Sequence, residues 1–191
     1  MAAFLISLAL VFAAEFGDKT QFVALAFATR YRATIVLAGI TVAALLTHFF
    51  STALGQMAGN LIPHTAINVI AGLAFIGFGV WNFRGESEQE KEQLEEHKWG
   101  PFVSVALTFF VAELGDKTML ATVTIASQQR DFLGVWLGSS IGMVLAGAIA
   151  IWLGTVVGKR VPEPVVKAFG AIIFIATGVV TLARAAMAMA Q

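Results

Sequence analysis

Apolar residues fill this chain in long runs, and its polar positions gather in short breaks between them. Six runs stand out: Phe4–Phe27, Thr34–Ala58, Ala66–Phe83, Phe102–Ala126, Phe132–Val157 and Pro164–Met187. A bilayer core about 30 Å thick takes about 20 apolar residues as helix. Five runs reach that length, and Ala66–Phe83 lies near its lower limit. The breaks carry residues that end helices or face water: Arg30-Tyr31-Arg32, Asn60 to His64 with Pro63, Gln128 to Asp131, and Lys159 to Pro164. The pattern predicts an all-α integral membrane protein of six transmembrane helices. The first run lacks the basic start and small-residue cleavage site of a signal peptide, so it reads as a retained helix. Glycines inside the runs (Gly72, Gly77, Gly79, Gly138, Gly142, Gly147) read as points where helices approach closely.

One stretch breaks the pattern. Arg84–Gly100 (RGESEQEKEQLEEHKWG) is strongly polar, and Ser87 followed by Glu90 has the spacing of a capping box. It reads as a short, exposed, acidic helix joining two halves. A shift of 98 residues then lays FLISLALVFAAEFGDKT (Phe4–Thr20) over FVSVALTFFVAELGDKT (Phe102–Thr118). After a one-residue slip, Gly59–Pro63 lies over Gly158–Pro162. The organisation predicted is a first three-helix repeat over 1–83, an acidic cytoplasmic linker over 84–100, and a second three-helix repeat over 101–191. An odd number of spans per repeat inverts one repeat relative to the other, with a pseudo-two-fold axis between them, as in many transporters.

Composition fits this picture. Hydrophobic residues make up 58% of the chain and charged residues 13%, where soluble domains carry about 25% charged residues. Mean hydropathy is +0.83, so lipid is the expected surrounding. Net charge is zero with no basic tract, which argues against a nucleic-acid partner, and the absence of cysteine excludes thiolate metal sites. Lysine and arginine set the orientation. One side of the membrane receives Arg30, Arg32, Arg84, Lys91, Lys98, Lys159, Arg160 and Lys167, and the other only Arg130 and Arg184. The basic side should be cytoplasmic. The central linker then lies inside the cell's inner (plasma) membrane and both termini outside. Nothing in the pattern fixes the oligomeric state, and a homo-oligomer is compatible with it.

The chemistry sits mid-way along the first and fourth runs, as Glu15, Asp18 and Lys19, and as Glu113, Asp116 and Lys117. Each charged side chain at that depth costs about 2.5–3.5 kcal/mol on insertion scales, so the six must pair, protonate or bind an ion. On a continuous helix, positions i, i+3 and i+4 share a face, so each triplet should project together. Thr20 and Thr118 add a hydroxyl to each motif, and Gly17 and Gly115 remove bulk. Two carboxylates and one ammonium give each motif a net charge of −1. Two facing motifs then balance one divalent cation in a hard oxygen site suited to Ca²⁺, Mn²⁺ or Mg²⁺. Metal ligands are expected at Glu15, Asp18, Glu113 and Asp116, with the glutamates primary. One lysine per motif should pair with a carboxylate. When the metal leaves, protons relieve the crowded negative charge, which gives one site two mutually exclusive occupants. The simpler alternative is a set of Glu–Lys or Asp–Lys pairs that tie helices together.

Three further residues bear on the site. Gln21 has Met119 as its repeat counterpart, so the site cannot be fully symmetric. His48, mid-run beside Ser51 and aligned near Ala146, belongs to one half only; it reads as a proton relay or as a hydrogen-bonded interior histidine. Thr47, Ser139 and Ser140 read as helix–helix hydrogen-bonding residues.

The duplicated EFGDKT and ELGDKT resemble the E-x-G-D-[KR]-[TS] signature of the transmembrane protein 165 family, called Gdt in yeast. The resemblance covers essentially the whole chain. It implies a cation/proton exchanger for Mn²⁺ and Ca²⁺ of the compact prokaryotic kind, with the motif residues Glu15 to Thr20 and Glu113 to Thr118 at its centre. Export of Mn²⁺ in exchange for protons is the leading expectation. A Ca²⁺/H⁺ antiporter, a passive cation channel or a membrane scaffold are the alternatives. No nucleophile–base pair or cofactor motif suggests an enzyme, and no resident cofactor is expected.

Overall fold

In the computed structural model, residues 1–16, 18–84, 100–156 and 163–189 are described, with side chains given except at 19, 64, 78–79, 81–84, 153–156, 163–170 and 173–174. The described residues form eight α-helices: α1 Ala2–Glu15, α2 Lys19–Arg30, α3 Ala33–Leu61, α4 His64–Arg84, α5 Pro101–Glu113, α6 Lys117–Gln128, α7 Phe132–Val156 and α8 Glu163–Met189. The expected acidic helix (its residues 85–99), Gly17, the Lys19 side chain and the Gly158–Pro162 segment lie outside the described residues.

Four of the six apolar runs appear as single helices, α3, α4, α7 and α8, with ends within a few residues of those expected. The first and fourth runs do not. Each is two helices, broken at the acidic motif, which corrects the expectation of continuous spans. The 14 residues of α1 rise only about 21 Å, so α1 cannot cross a bilayer core alone. Among the described helices, α3 and α7 are long and apolar enough to do so singly.

The ends follow from local chemistry. At the α2–α3 junction Tyr31 and Arg32 are extended, and the Tyr31 N–H closes α2 on the Phe27 carbonyl at 2.8 Å. Pro63, which cannot donate, separates α3 from α4. Pro101 opens α5, where its missing N–H costs nothing, after Gly100 at φ +90°.

Packing interleaves the two halves. α1 lies along α7 and α5 along α3; α2 also meets α7 and α6 meets α3; α4 pairs with α8. Exchanging each helix for its repeat counterpart maps this principal set onto itself. Small residues make the crossings possible. A Cβ on Gly138 would strike the Phe4 carbonyl, and one on Gly55 the Val123 carbonyl. Gly72 and Gly178 meet where α4 crosses α8. Gly77 faces open space instead.

Many polar side chains lie inside the described bundle and many large apolar ones lie on its surface. Ser7, Thr47, His48, Ser51, Thr52, Thr122, Ser139 and Ser140 are buried, while Phe22, Leu46, Leu54, Leu73, Leu133 and Trp152 are exposed. That arrangement suits lipid as the outer solvent. The largest buried apolar cluster includes Ala24 and Phe27 of α2, Val36 and Ile40 of α3, Val105 and Phe109 of α5, and Met143 and Ile151 of α7.

Candidate metal-binding site

The spacing Glu-x-Gly-Asp is the spacing of a turn. Glu113 ends α5, Leu114 has φ −67° and ψ 111°, Gly115 has φ +84°, and the Asp116 N–H returns to the Glu113 carbonyl at 3.3 Å. This is a type II turn, which needs a residue tolerant of positive φ at its third position. Asp116 (φ −73°, ψ 166°) is then the N-cap residue of α6. The first motif repeats the geometry: Phe16 at −68° and 112°, Asp18 at −78° and 162°, and the Asp18 N–H on the Glu15 carbonyl at 3.1 Å. Glu113 and Asp116 therefore converge through a turn, not along one helical face. Gly115 supplies the conformation that was read from sequence as removal of bulk.

The two motifs meet. Oxygens of Glu15, Glu113 and Asp116 lie within 4.8 Å of one another. Both glutamates are fully buried. Each is steered by the threonine five residues on: Thr20 Oγ1 donates to Glu15 Oε2 at 2.9 Å, and Thr118 Oγ1 to Glu113 Oε2 at 2.8 Å. The other oxygen of each glutamate, Oε1, is buried with no hydrogen-bond partner. Asp18 takes a different role. Its Oδ1 accepts from Lys117 Nζ at 2.7 Å in a buried ion pair that joins the first motif to the second. A lysine–carboxylate pair is expected from the sequence, and for Lys117 its partner lies in the other motif.

Asp18 and Asp116 cap helix N-termini, where the dipole favours them, but the other three described charges of the motifs are set against the helix dipoles. Glu15 and Glu113 end α1 and α5, where carbonyls already present negative charge, and Lys117 begins α6, where N–H groups present positive charge. Isolated helices prefer the reverse. Buried carboxylates at two helix C-termini make a locus that favours a cation. Ca²⁺–oxygen distances of about 2.3–2.6 Å let oxygens up to about 5 Å apart share one ion, so three groups within 4.8 Å fit a single hard cation.

The supporting residues divide. Gln21 Nε2 donates to the Ala146 carbonyl at 3.4 Å beside a small cavity lined by Glu15, Thr20, Ile40, Phe109, Met143 and Gly147. Its counterpart Met119 accepts the Gly115 N–H on Sδ at 3.2 Å, so the expected asymmetry at this pair is present. His48 is buried but is not one of the clustered carboxylate group. Its Nδ1 lies 3.1 Å from Thr122 Oγ1, which also donates to Ser139 Oγ at 3.2 Å. Thr122 was not anticipated, although its position one helical turn after Thr118 was a usable signal. Ser139 does bond between helices, Ser140 reaches the Ala44 and Trp136 carbonyls, and Thr47 Oγ1 has no hydrogen-bond partner.

Known proteins resemble the chain throughout its length. The family model described as "Divalent cation/proton antiporter GDT1" matches it twice, over residues 3–90 and 101–189. The "Putative manganese exporter" of Vibrio cholerae is 30% identical over 183 residues, covering 95% of this chain and 90% of that one. "GDT1-like protein sll0615" of Synechocystis is 31% identical over 95% of this chain and 97% of its own. "GDT1-like protein 5" of Arabidopsis thaliana is 30% identical over 92% and 93%. No solved structure matches significantly.

Proposed function

The chain belongs to the divalent cation/proton antiporter GDT1 family, and from that premise we propose that it exports a divalent cation, Mn²⁺ first and Ca²⁺ second, in exchange for protons. The family moves cations rather than catalysing a reaction. The observation that carries the reading is the meeting of Glu15, Glu113 and Asp116 oxygens within 4.8 Å, with a free oxygen on each buried glutamate. Three carboxylates so close need positive charge among them, and a metal ion or protons supply it in turn. Glu15 and Glu113 are the primary ligands and Asp116 the third. Asp18 is held by Lys117 and joins as ligand or proton acceptor when that pair opens. Thr20 and Thr118 aim the glutamates, and Lys19 is assigned the same charge-balancing role as Lys117. Oxygen-only ligation suits Mn²⁺ and Ca²⁺ alike; the Vibrio cholerae relative's name favours Mn²⁺.

The twin turns, the exchangeable helix contacts and the double family match support two repeats, 1–83 and 101–191. On this reading they are inverted, three spans each, with α1–α2 and α5–α6 as broken spans. Linker 84–100 lies in the cytoplasm and both termini outside the inner membrane. Rocking of one repeat against the other exposes the site to each side in turn.

The test is transport by purified protein in liposomes with an imposed pH gradient. Mn²⁺ flux should follow the gradient and reverse with it, with Ca²⁺ flux measured in parallel. Cation flux indifferent to the gradient would replace exchange with a channel, and no flux would leave a scaffold.

A further inference from the structure

The two repeats share a backbone but not the surroundings of their glutamates. α3 and α7 begin at Ala33 and Phe132, and α2 and α6 end at Arg30 and Gln128. Counted from those ends, the trio His48, Thr122 and Ser139 has Gly147, Ala24 and Ile40 as its counterparts. Every polar member of the trio is apolar in the other half. Ala24 and Ile40 belong to the largest apolar cluster, and Ile40 and Gly147 line the cavity beside Glu15. Thr52, one turn beyond His48, has Ile151 of the same cluster as its counterpart.

The trio begins a stripe that leads outward. His48, Thr52 and Gln56 are spaced four apart on α3, so they climb one face. Gly55 and Gly59 hold this end of α3 against the Val123 and Ser127 carbonyls of α6. His48 and Thr52 are buried and Gln56 is half-buried. His48 Nε2, Thr52 Oγ1 and Gln56 Nε2 all lack hydrogen-bond partners. Buried polar atoms without partners are costly unless water or a travelling ion visits them. At the inner end, Thr122 stands one turn from Thr118, which holds Glu113, so the two threonines are neighbours on one face of α6. The titratable side chains described on the helices packed against α3 are Arg30 of α2, Glu113 of α5 and Lys117 of α6, while α7 has none.

We infer that protons reach and leave the carboxylate cluster on one side through His48, passing Thr122 and Thr118 inward and Thr52 and Gln56 outward, toward the end of the bundle where α6 turns into α7. The cavity beside Glu15 has Ile40, Phe109 and Met143 among its lining, with Thr20 and Gln21 as its other polar groups. His48 is a relay for the exchange and not a ligand of the metal. The inference rests on the exchange reading.

The test compares H48Q and H48A with the parent chain in liposomes, reading Mn²⁺ flux, proton flux and equilibrium Mn²⁺ binding separately. H48Q should bind Mn²⁺ as the parent does but lose about 100-fold in coupled flux, the scale of a missing acid–base group. Added imidazole should restore flux to H48A. The chain has no cysteine, so single cysteines report access directly. T52C should react with a water-soluble thiol reagent about tenfold faster than its counterpart I151C, as a solvated position against a packed one. A parent chain that does not couple Mn²⁺ to protons would fail the exchange reading itself. Coupled flux in the parent and equal flux in H48Q, or equal labelling of T52C and I151C, would overturn the relay alone.

Discussion

The two acidic motifs differ in their neighbours far more than in their own shape. Phe16 and Leu114 agree within one degree in both backbone angles, and each glutamate takes one threonine hydrogen bond. Yet beside Glu15 lies a cavity with Ile40, Phe109 and Met143 on its walls, while the equivalent region near Glu113 holds His48, Thr122 and Ser139 in hydrogen-bond contact. Duplication has kept the geometry that gathers charge and let the approaches diverge. On the proposed exchange, two ions travelling in opposite directions would each have use for its own approach to one site.

The largest expected effect tests what joins the motifs. Removing one partner of a buried ion pair costs about 3–5 kcal/mol, so D18N or K117M should each lower the unfolding midpoint in detergent strongly. The double substitution should recover much of the loss, because neither charge of the pair is then left buried without its partner. If the single changes are silent, the pair does not hold the motifs together.

Next come the glutamates. E15Q and E113Q should each weaken Mn²⁺ binding by at least about 100-fold, since removing a ligand costs more than removing its support. Protons compete with metal for the same oxygens, so apparent affinity should fall as pH falls, and each variant should show a shallower dependence than the parent. Calorimetric titration across pH reads both. If E15Q and E113Q differ widely, the site is less symmetric than its backbone.

The threonines follow. T20A and T118A each leave a buried carboxylate without its one donor, and about tenfold weaker Mn²⁺ binding is expected, the lower end for an outer-shell partner. Smallest is G115A. A β-carbon at φ +84° costs about 1–2 kcal/mol, to be seen as a modest loss of thermal stability with binding retained.

Much of this architecture was legible in the residues. Four helices and the meeting of the motifs follow from apolar length and from the cost of charge in lipid. The helix breaks did not follow, because a run of apolar residues around Glu-x-Gly-Asp satisfies the length test for a span just as well as two half-helices do. The glycine followed by an N-cap aspartate was the available sign. The Asp18–Lys117 pair was beyond reach, since either lysine could serve either motif and only packing of α1 on α7 and α5 on α3 decides it. His48 stood out as unmatched, but its partners lie on α6 and α7, and sequence spacing does not measure distances between helices.

The interleaving of α1 with α7 and α3 with α5 bears on how the chain is made. During synthesis the first half, α1 to α4, emerges before Lys117, the partner of Asp18 that lies 99 positions further on. Until that lysine arrives, the early helices hold acidic groups in lipid without the partner that makes them tolerable there. The Asp18–Lys117 pair forms only once both halves are present together.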